Sequence, residues 1–308
     1  KKNLTRIYKN PRPKYDIRPG HTYHADVIYW SFTGISVRGF KYTVILKCAC
    51  TGDMEELNVA TRDEVPDAFD NLITGRRADS RFDKTGYKRF SASHLDQAGE
   101  FTGASMKRVF AKHQIHEVYY ADPVRKESAG PAEYAVQQLE IQVKKSMAQT
   151  MMPPSYFCWM VEHAVKLLRR VPLSRNIHSR HSDGIRPLEQ ITHGKISRRD
   201  CDNVIVNTEV PGTPCLITDH HTKGSDLDKI SRADWAIYLG CRGISSIDPG
   251  NLPIFENLFT GTQRATKSFT AMPLAPGQNA WQLLGLTPPA PISVSAVPRQ
   301  GENSHPGI

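Results

Sequence analysis

The sequence predicts an α/β protein, a layered domain with a mixed sheet followed by a small all-β unit. Three observations predict it. Between Tyr23 and Tyr120, β-branched and aromatic runs and helical-period segments follow one another in the order βββαβαβ. Two longer helical-period segments come next. From Asn203 onward the pattern breaks into short β-like runs separated by turn residues. A chain of 308 residues, 39% hydrophobic and 23% charged, can bury a substantial core.

Residues 1 to about 20 mix basic residues with Pro11, Pro13, Pro19 and Gly20, and read as an extended arm or linker. Three strands are expected at Tyr23–Tyr29, Lys41–Leu46 and Met54–Ala60, joined by hairpin connections at the turn-rich Ser31–Gly39 and at Thr51-Gly52-Asp53. Val65, Phe69, Leu72 and Ile73 recur at helical spacing within Asp63–Ile73. Phe90–Leu95 reads as a short strand ending on Asp96. Gly99 and Gly103 open a helical run with Met106, Val109 and Phe110 as its apolar stripe, and Ile115–Tyr120 closes the set as a strand.

Asp122–Gly130 reads as a loop, and Pro131 suits the first turn of a helix, where a missing N–H costs nothing. Ala132, Val136, Leu139, Val143 and Met147 form that helix's buried stripe, and Glu133, Gln137, Glu140 and Lys144 lie on another face. Ser155–Arg170 is the next helix. Residues 172–200 are polar and basic, with a short apolar segment at Pro187–Ile191. Val204–Val206, Pro214–Thr218, Trp235–Leu239, Pro253–Leu258 and Thr266–Phe269 are the expected strands of a small barrel or sandwich. Beyond residue 273 the composition shifts to Pro, Gly, Ser and Ala, which reads as a flexible tail.

Composition excludes several classes. No apolar run approaches the roughly 20 residues needed to cross a bilayer, and Lys1–Leu4 lacks the apolar segment of a signal peptide, so an intracellular protein is expected. A start without Met, inside a basic run, suggests a piece or processed product of something longer. The six cysteines show no C-x-x-C and no regular framework, so free buried thiols are expected rather than a zinc ribbon or disulfide scaffold. His178, His181, His220 and His221 have no cysteine partners at zinc-finger spacing and read as loop residues. The net charge of +9 is segregated: residues 1–20 hold seven Lys/Arg against one acid, and residues 166–199 hold nine against two. Two cationic segments on a mildly acidic body suit a polyanion partner, with two solvated basic faces as the structural alternative.

Asp26 lies in a strand-like run, Asp96 at a strand end before a turn, and Glu133 in the first turn of a helix. Three carboxylates in these contexts suggest a divalent-metal site. Hard ions such as Mg²⁺ bind carboxylate oxygens, and a pair about 3.5–4 Å apart can hold the attacking and leaving oxygens of an in-line displacement. Gathered within about 4 Å, like charges repel by roughly 1–4 kcal/mol per pair, so such a cluster is poorly stable without its cations. With 31 acids in the chain the spacing alone proves little, and solvated surface acids would satisfy it equally.

The wider context carries a resemblance. His94-Leu95-Asp96-Gln97-Ala98-Gly99-Glu100-Phe101 and Ser128-Ala129-Gly130-Pro131-Ala132-Glu133 resemble the second and third acidic motifs of retroviral-type integrases, in the branch of copia-type LTR retrotransposons, and Tyr23-His24-Ala25-Asp26-Val27 resembles the first. Further segments look like the same family: Ser36–Tyr42, Tyr156–Leu167, Gly184–Ile191 and Arg232–Gly240. The likeness spans about residues 20–275.

The resemblance implies a ribonuclease H-like mixed-sheet core followed by a small all-β domain of the SH3-like barrel kind. Its division would be a basic arm (1–20), catalytic core (21–172), basic connection (173–202), small β domain (203–272) and Pro-rich tail (273–308). The implied activity is joining of retrotransposon DNA 3′ ends to target DNA by phosphoryl transfer, with Mg²⁺ or Mn²⁺, two ions, held by Asp26, Asp96 and Glu133. Element-end DNA, target DNA and further copies of the chain are the implied partners, with no membrane, and the nucleus or retrotransposon particle is the implied place. Gln137 and Lys144, with Arg169, Arg170 and Arg175 of the basic segment, are the expected DNA contacts, a merely solvated Lys144 being the alternative.

This chain departs from the family pattern at Gln97, at Ala129-Gly130-Pro131 and at Tyr134, where Asn, Asn-Gly and Arg are usual. None of these removes a metal ligand, but they keep open a degenerate, non-catalytic DNA-binding remnant. The family's N-terminal zinc module is not found, and Lys1–Tyr15 looks like only the segment that succeeds that module. Ribonuclease H activity is a third reading, and no residue offers itself as that class's fourth carboxylate.

Overall fold

The computed structural model describes residues 18–31, 34–82, 89–121, 130–172, 186–206, 208–217, 234–242, 252–266, 268–275 and 277–288. Among them the chain forms a mixed α/β structure with two five-stranded sheets. The arm before residue 18, the loop 122–129, Arg175 and the four histidines of 178–221 lie outside the described residues.

The first sheet is built from β1 (Thr22–Tyr29), β2 (Tyr42–Cys48), β3 (Met54–Val59), β4 (Ala92–Leu95) and β5 (Glu117–Tyr120), in the order β3-β2-β1-β4-β5. β1, β2 and β3 pair antiparallel, whereas β4 runs parallel to β1 and β5 parallel to β4. Alternation along the strands supplies both faces with apolar side chains. Tyr23, Ala25, Val44 and Leu46 pack toward α1 (Val65–Ala78) and α3 (Ala104–Lys112), through Phe69, Ile73, Met106 and Phe110. Ile28 and Ile45 pack on the opposite face against α4 (Gly130–Thr150) and α5 (Phe157–Leu168), through Leu139, Val143 and Phe157. A short α2 (Gly99–Thr102) comes after the turn that ends β4. The expected order βββαβαβ holds, with a 3₁₀ turn at Arg62–Glu64 ahead of α1.

The C-terminal part differs from expectation at three places. Val204-Ile205-Val206, expected as a strand, closes the helix α7 (Arg198–Val206), which comes after α6 (Pro187–Ile191). Its N-terminus is capped reciprocally: Ser197 N–H and Oγ–H donate to Asp200 Oδ2 at 2.9 and 2.7 Å, and Asp200 N–H donates to Ser197 Oγ at 3.2 Å. Cys201 and Val204, one turn apart, are buried.

The expected strand Thr266–Phe269 is instead two strands, β9 (Gln263–Ala265) and β10 (Phe269–Ala271). They flank β6 (Pro214–Ile217), β7 (Asp234–Arg242) and β8 (Leu252–Asn257) in an antiparallel sheet of order β10-β6-β7-β8-β9, and no pairing closes it into a barrel among the described residues.

The tail, expected to be flexible from 273, contains the helical turn α8 (Ala280–Leu283). Asn279 and Gln282 form a capping box there, and Trp281 is buried at 3% exposure against the α5 core.

Candidate active site

Asp26, Asp96 and Glu133 line one cleft of about 170 Å³ with His94 and the small residues Ala25, Ala121 and Ala132. Three elements deliver them. Asp26 is on β1, Asp96 comes directly after the last residue of β4, and Glu133 stands in the first turn of α4. Ala25 pairs with Leu95 in the parallel β1–β4 register, so Asp26, within β1, and Asp96, just past the end of β4, emerge side by side. Glu133 is exposed at the cleft's edge.

Backbone donors orient both aspartates. Val27 N–H donates to Asp26 Oδ1 at 2.7 Å, and Ala98 N–H donates to Asp96 Oδ1 at 3.2 Å. Burial nevertheless raises the Asp26 carboxyl above the ordinary carboxylate range, and the negative charges of Asp96, Glu133 and Glu100 add to the rise. Asp96 is raised in the same way, by burial first and then by Glu100 against the pull of its backbone donor and Arg62. The acids therefore repel one another across the cleft, and a cation between them would relieve that repulsion. Among the described residues no three His, Cys, Asp or Glu side chains are already gathered as a closed metal cage. The donor set suits a hard divalent ion in its chemistry, and the carboxylates would draw together on binding it.

Two neighbours act on the site beyond the three expected carboxylates. His94 lies two residues before Asp96, and the period-two alternation of a strand puts both on one side; that spacing was the signal that could have found it. Across the strands His24 and His94 are register partners with ring centroids 5.0 Å apart, and Lys47 pairs with His24 from β2. Burial, then His94 and Lys47, lower His24 to about 3, so it is neutral at physiological pH. Burial likewise pulls Lys47 down to about 8, and its ammonium sits 4.6 Å from the Tyr134 ring, next to Glu133. Glu100 is the second neighbour; its side chain is only 4% exposed and lies 3.5 Å from Arg62.

The expected DNA contacts divide. Gln137 and Lys144 are exposed on α4, Lys144 pairing with Glu140 at 3.1 Å. Arg169 and Arg170 are a correction: they are 0% and 1% exposed, and out of reach of DNA. Arg169 holds Asp53 with two bonds of 2.8 Å and Glu55 at 2.9 Å, while Arg170 donates to the Lys166 carbonyl at 2.9 Å. The Arg169 charge neutralises acids of the core, which sequence proximity to other basic residues could not reveal. Lys166 and Arg186 are buried as well, so part of the basic segment points inward.

No protein-family model matches this chain, and no curated protein matches it either. The strand order and the cleft geometry are accordingly the basis for assigning a function.

Proposed function

We propose that the chain is a polynucleotidyl transferase of the integrase type, joining the 3′ ends of element DNA to target DNA. The observation that carries this reading is the convergence of Asp26, Asp96 and Glu133 on one cleft from β1, the end of β4 and the first turn of α4. The mixed sheet of order β3-β2-β1-β4-β5, with one antiparallel wing and one parallel wing, supports a ribonuclease H-like core. The antiparallel second sheet fits a small β domain such as integrases carry after it.

Asp26, Asp96 and Glu133 would hold Mg²⁺ or Mn²⁺, Asp26 and Asp96 jointly. When bound, the metal pair supplies Lewis acidity at the phosphate and activation of the attacking oxygen. The chain's own part is positional. β1 and β4 hold two carboxylates in parallel register, and their backbone donors fix one oxygen of each. A DNA 3′-OH as nucleophile forms the new P–O bond as the target strand's P–O bond breaks; water as nucleophile would hydrolyse a DNA end instead.

A strand-transfer assay in Mg²⁺ or Mn²⁺ tests this. The wild-type chain should join DNA, and Asp96→Asn should lose at least about a hundredfold in rate, the scale of removing a group that stabilises transition-state charge. A wild type that joins nothing, with Asp96→Asn indistinguishable from it, would leave the non-catalytic DNA-binding reading.

A further inference from the structure

On the opposite face of β1 from Asp26 lies a surface whose chemistry the cleft does not use. Tyr29 ends β1 three residues beyond Asp26, about 10 Å further along the strand. Tyr42 opens β2 directly opposite it in the antiparallel register, and the two rings lie 5.4 Å apart at 32°. Tyr29 is 50% exposed. Lys41 Nζ sits 5.3 Å from the Tyr29 ring and 5.8 Å from the Tyr42 ring, and the Arg62 guanidinium is 5.5 Å from Tyr42. Arg62 also reaches Glu100, whose charge acts on both Asp26 and Asp96. Arg62 thus ties the patch to Glu100, which acts on the cleft acids without lining the cleft.

A half-exposed tyrosine paired with a partly buried one, and two cations interleaved with them, are what an unpaired nucleic-acid strand recognises. Bases stack on aromatic faces whatever their identity, and phosphates track the cations. Glu64, an acid of the same 3₁₀ turn as Arg62, is tied to that turn by Ala60 N–H at 3.0 Å and Thr61 Oγ1 at 3.3 Å. Paired DNA keeps its base faces inside the stack, so such a surface prefers unpaired nucleotides.

We propose that Tyr29, Tyr42, Lys41 and Arg62 form a platform for an unpaired DNA segment passing over the end of β1 on the α1 side of the sheet. A base stacks on Tyr29, and the flanking phosphates lie against Lys41 and Arg62. The proposal rests on the reading of the cleft as a DNA site, and binding can be separated from joining. The probe is a duplex with a short unpaired 5′ tail carrying 2-aminopurine, compared with the same duplex blunt-ended.

The wild-type chain should bind the tailed duplex more tightly than the blunt one and quench 2-aminopurine on binding. Tyr29→Ser should weaken tailed-duplex binding about tenfold and abolish the quench, with blunt-duplex affinity unchanged. Tyr29→Phe should restore both. Arg62→Gln should lower the salt slope by about one. Equal affinity for tailed and blunt DNA, or an unchanged quench in Tyr29→Ser, overturns the platform. An intact quench in a chain that joins no DNA would support the platform and sink the strand-transfer reading; joining without any quench would do the reverse.

Discussion

Arg169 ties buried acids of the core together. It is fully buried where it reaches Asp53 and Glu55 across the sheet, and Arg76 closes the group by donating to Glu55 at 2.7 Å. Breaking one member of such a set leaves buried charge uncompensated. Arg169→Ala is therefore expected to cost about 3–5 kcal/mol of unfolding free energy in a urea titration. Burial by itself would raise the Glu55 carboxyl, but Arg169 and Arg76 outweigh it and hold the group down at about 2. A depressed folded-state value stabilises the protein above the ordinary 4.5, and that contribution is lost as pH falls from about 4.5 toward about 2. In Arg169→Ala the folded-state value of Glu55 should rise, because burial then acts with less opposition, and this acid-dependent loss should shrink. An unfolding free energy within about 0.5 kcal/mol of wild type, with an unshifted acid limb, would refute the structural role and reopen a surface role for this arginine.

At the level of elements, periodicity told strand from helix wherever one face alone is buried. α4 was legible for that reason, with Pro131 in its first turn, while β1, β2 and β4, buried on both faces, were legible from β-branched and aromatic runs bounded by turn residues. Val204-Ile205-Val206 misled because β-branched composition was read without the Ser197–Asp200 cap seven residues upstream, which commits the segment to a helix. In the site, each of the three carboxylates was legible as a residue in a motif. Their meeting was not, since it depends on the parallel β1–β4 register, and the inward turn of Arg169 depends on acids more than a hundred residues earlier. α8 was hidden by the Pro- and Gly-rich composition around it. Trp281 nevertheless meets Tyr156 with ring centroids 5.8 Å apart, within the core shared by α4 and α5. Trp281→Ala should cost about 3–5 kcal/mol, read by chemical unfolding. A loss under about 1 kcal/mol would mean that the tail rests on the surface without supporting the fold.

The two sheets of the molecule share one core. Ile237 and Leu239 of β7 are fully buried in the same cluster as Phe157, Met160 and Val161 of α5, with Trp281 from the tail. Polar ties cross the same junction: Tyr156 donates to Glu256 at 2.5 Å, and Thr150 Oγ1 donates to the Pro211 carbonyl at 3.0 Å. Gly212 comes next after that carbonyl with φ +94°, and a Cβ there would meet Thr150 Oγ1 at 2.6 Å, so the loop can lie against the end of α4 only without a side chain. Detaching the second sheet would expose apolar surface on both parts, and neither face has another partner among the described residues. The described structure should consequently unfold in one transition. Trp30, Trp159 and Trp281 all lie in the shared cluster, so their fluorescence reports on the junction, while far-UV circular dichroism reports on both sheets. The two signals should fall at the same urea concentration, and Gly212→Val should move both together to a lower one. Separate midpoints, with fluorescence lost first, would show that the second sheet is an independent unit docked on the first.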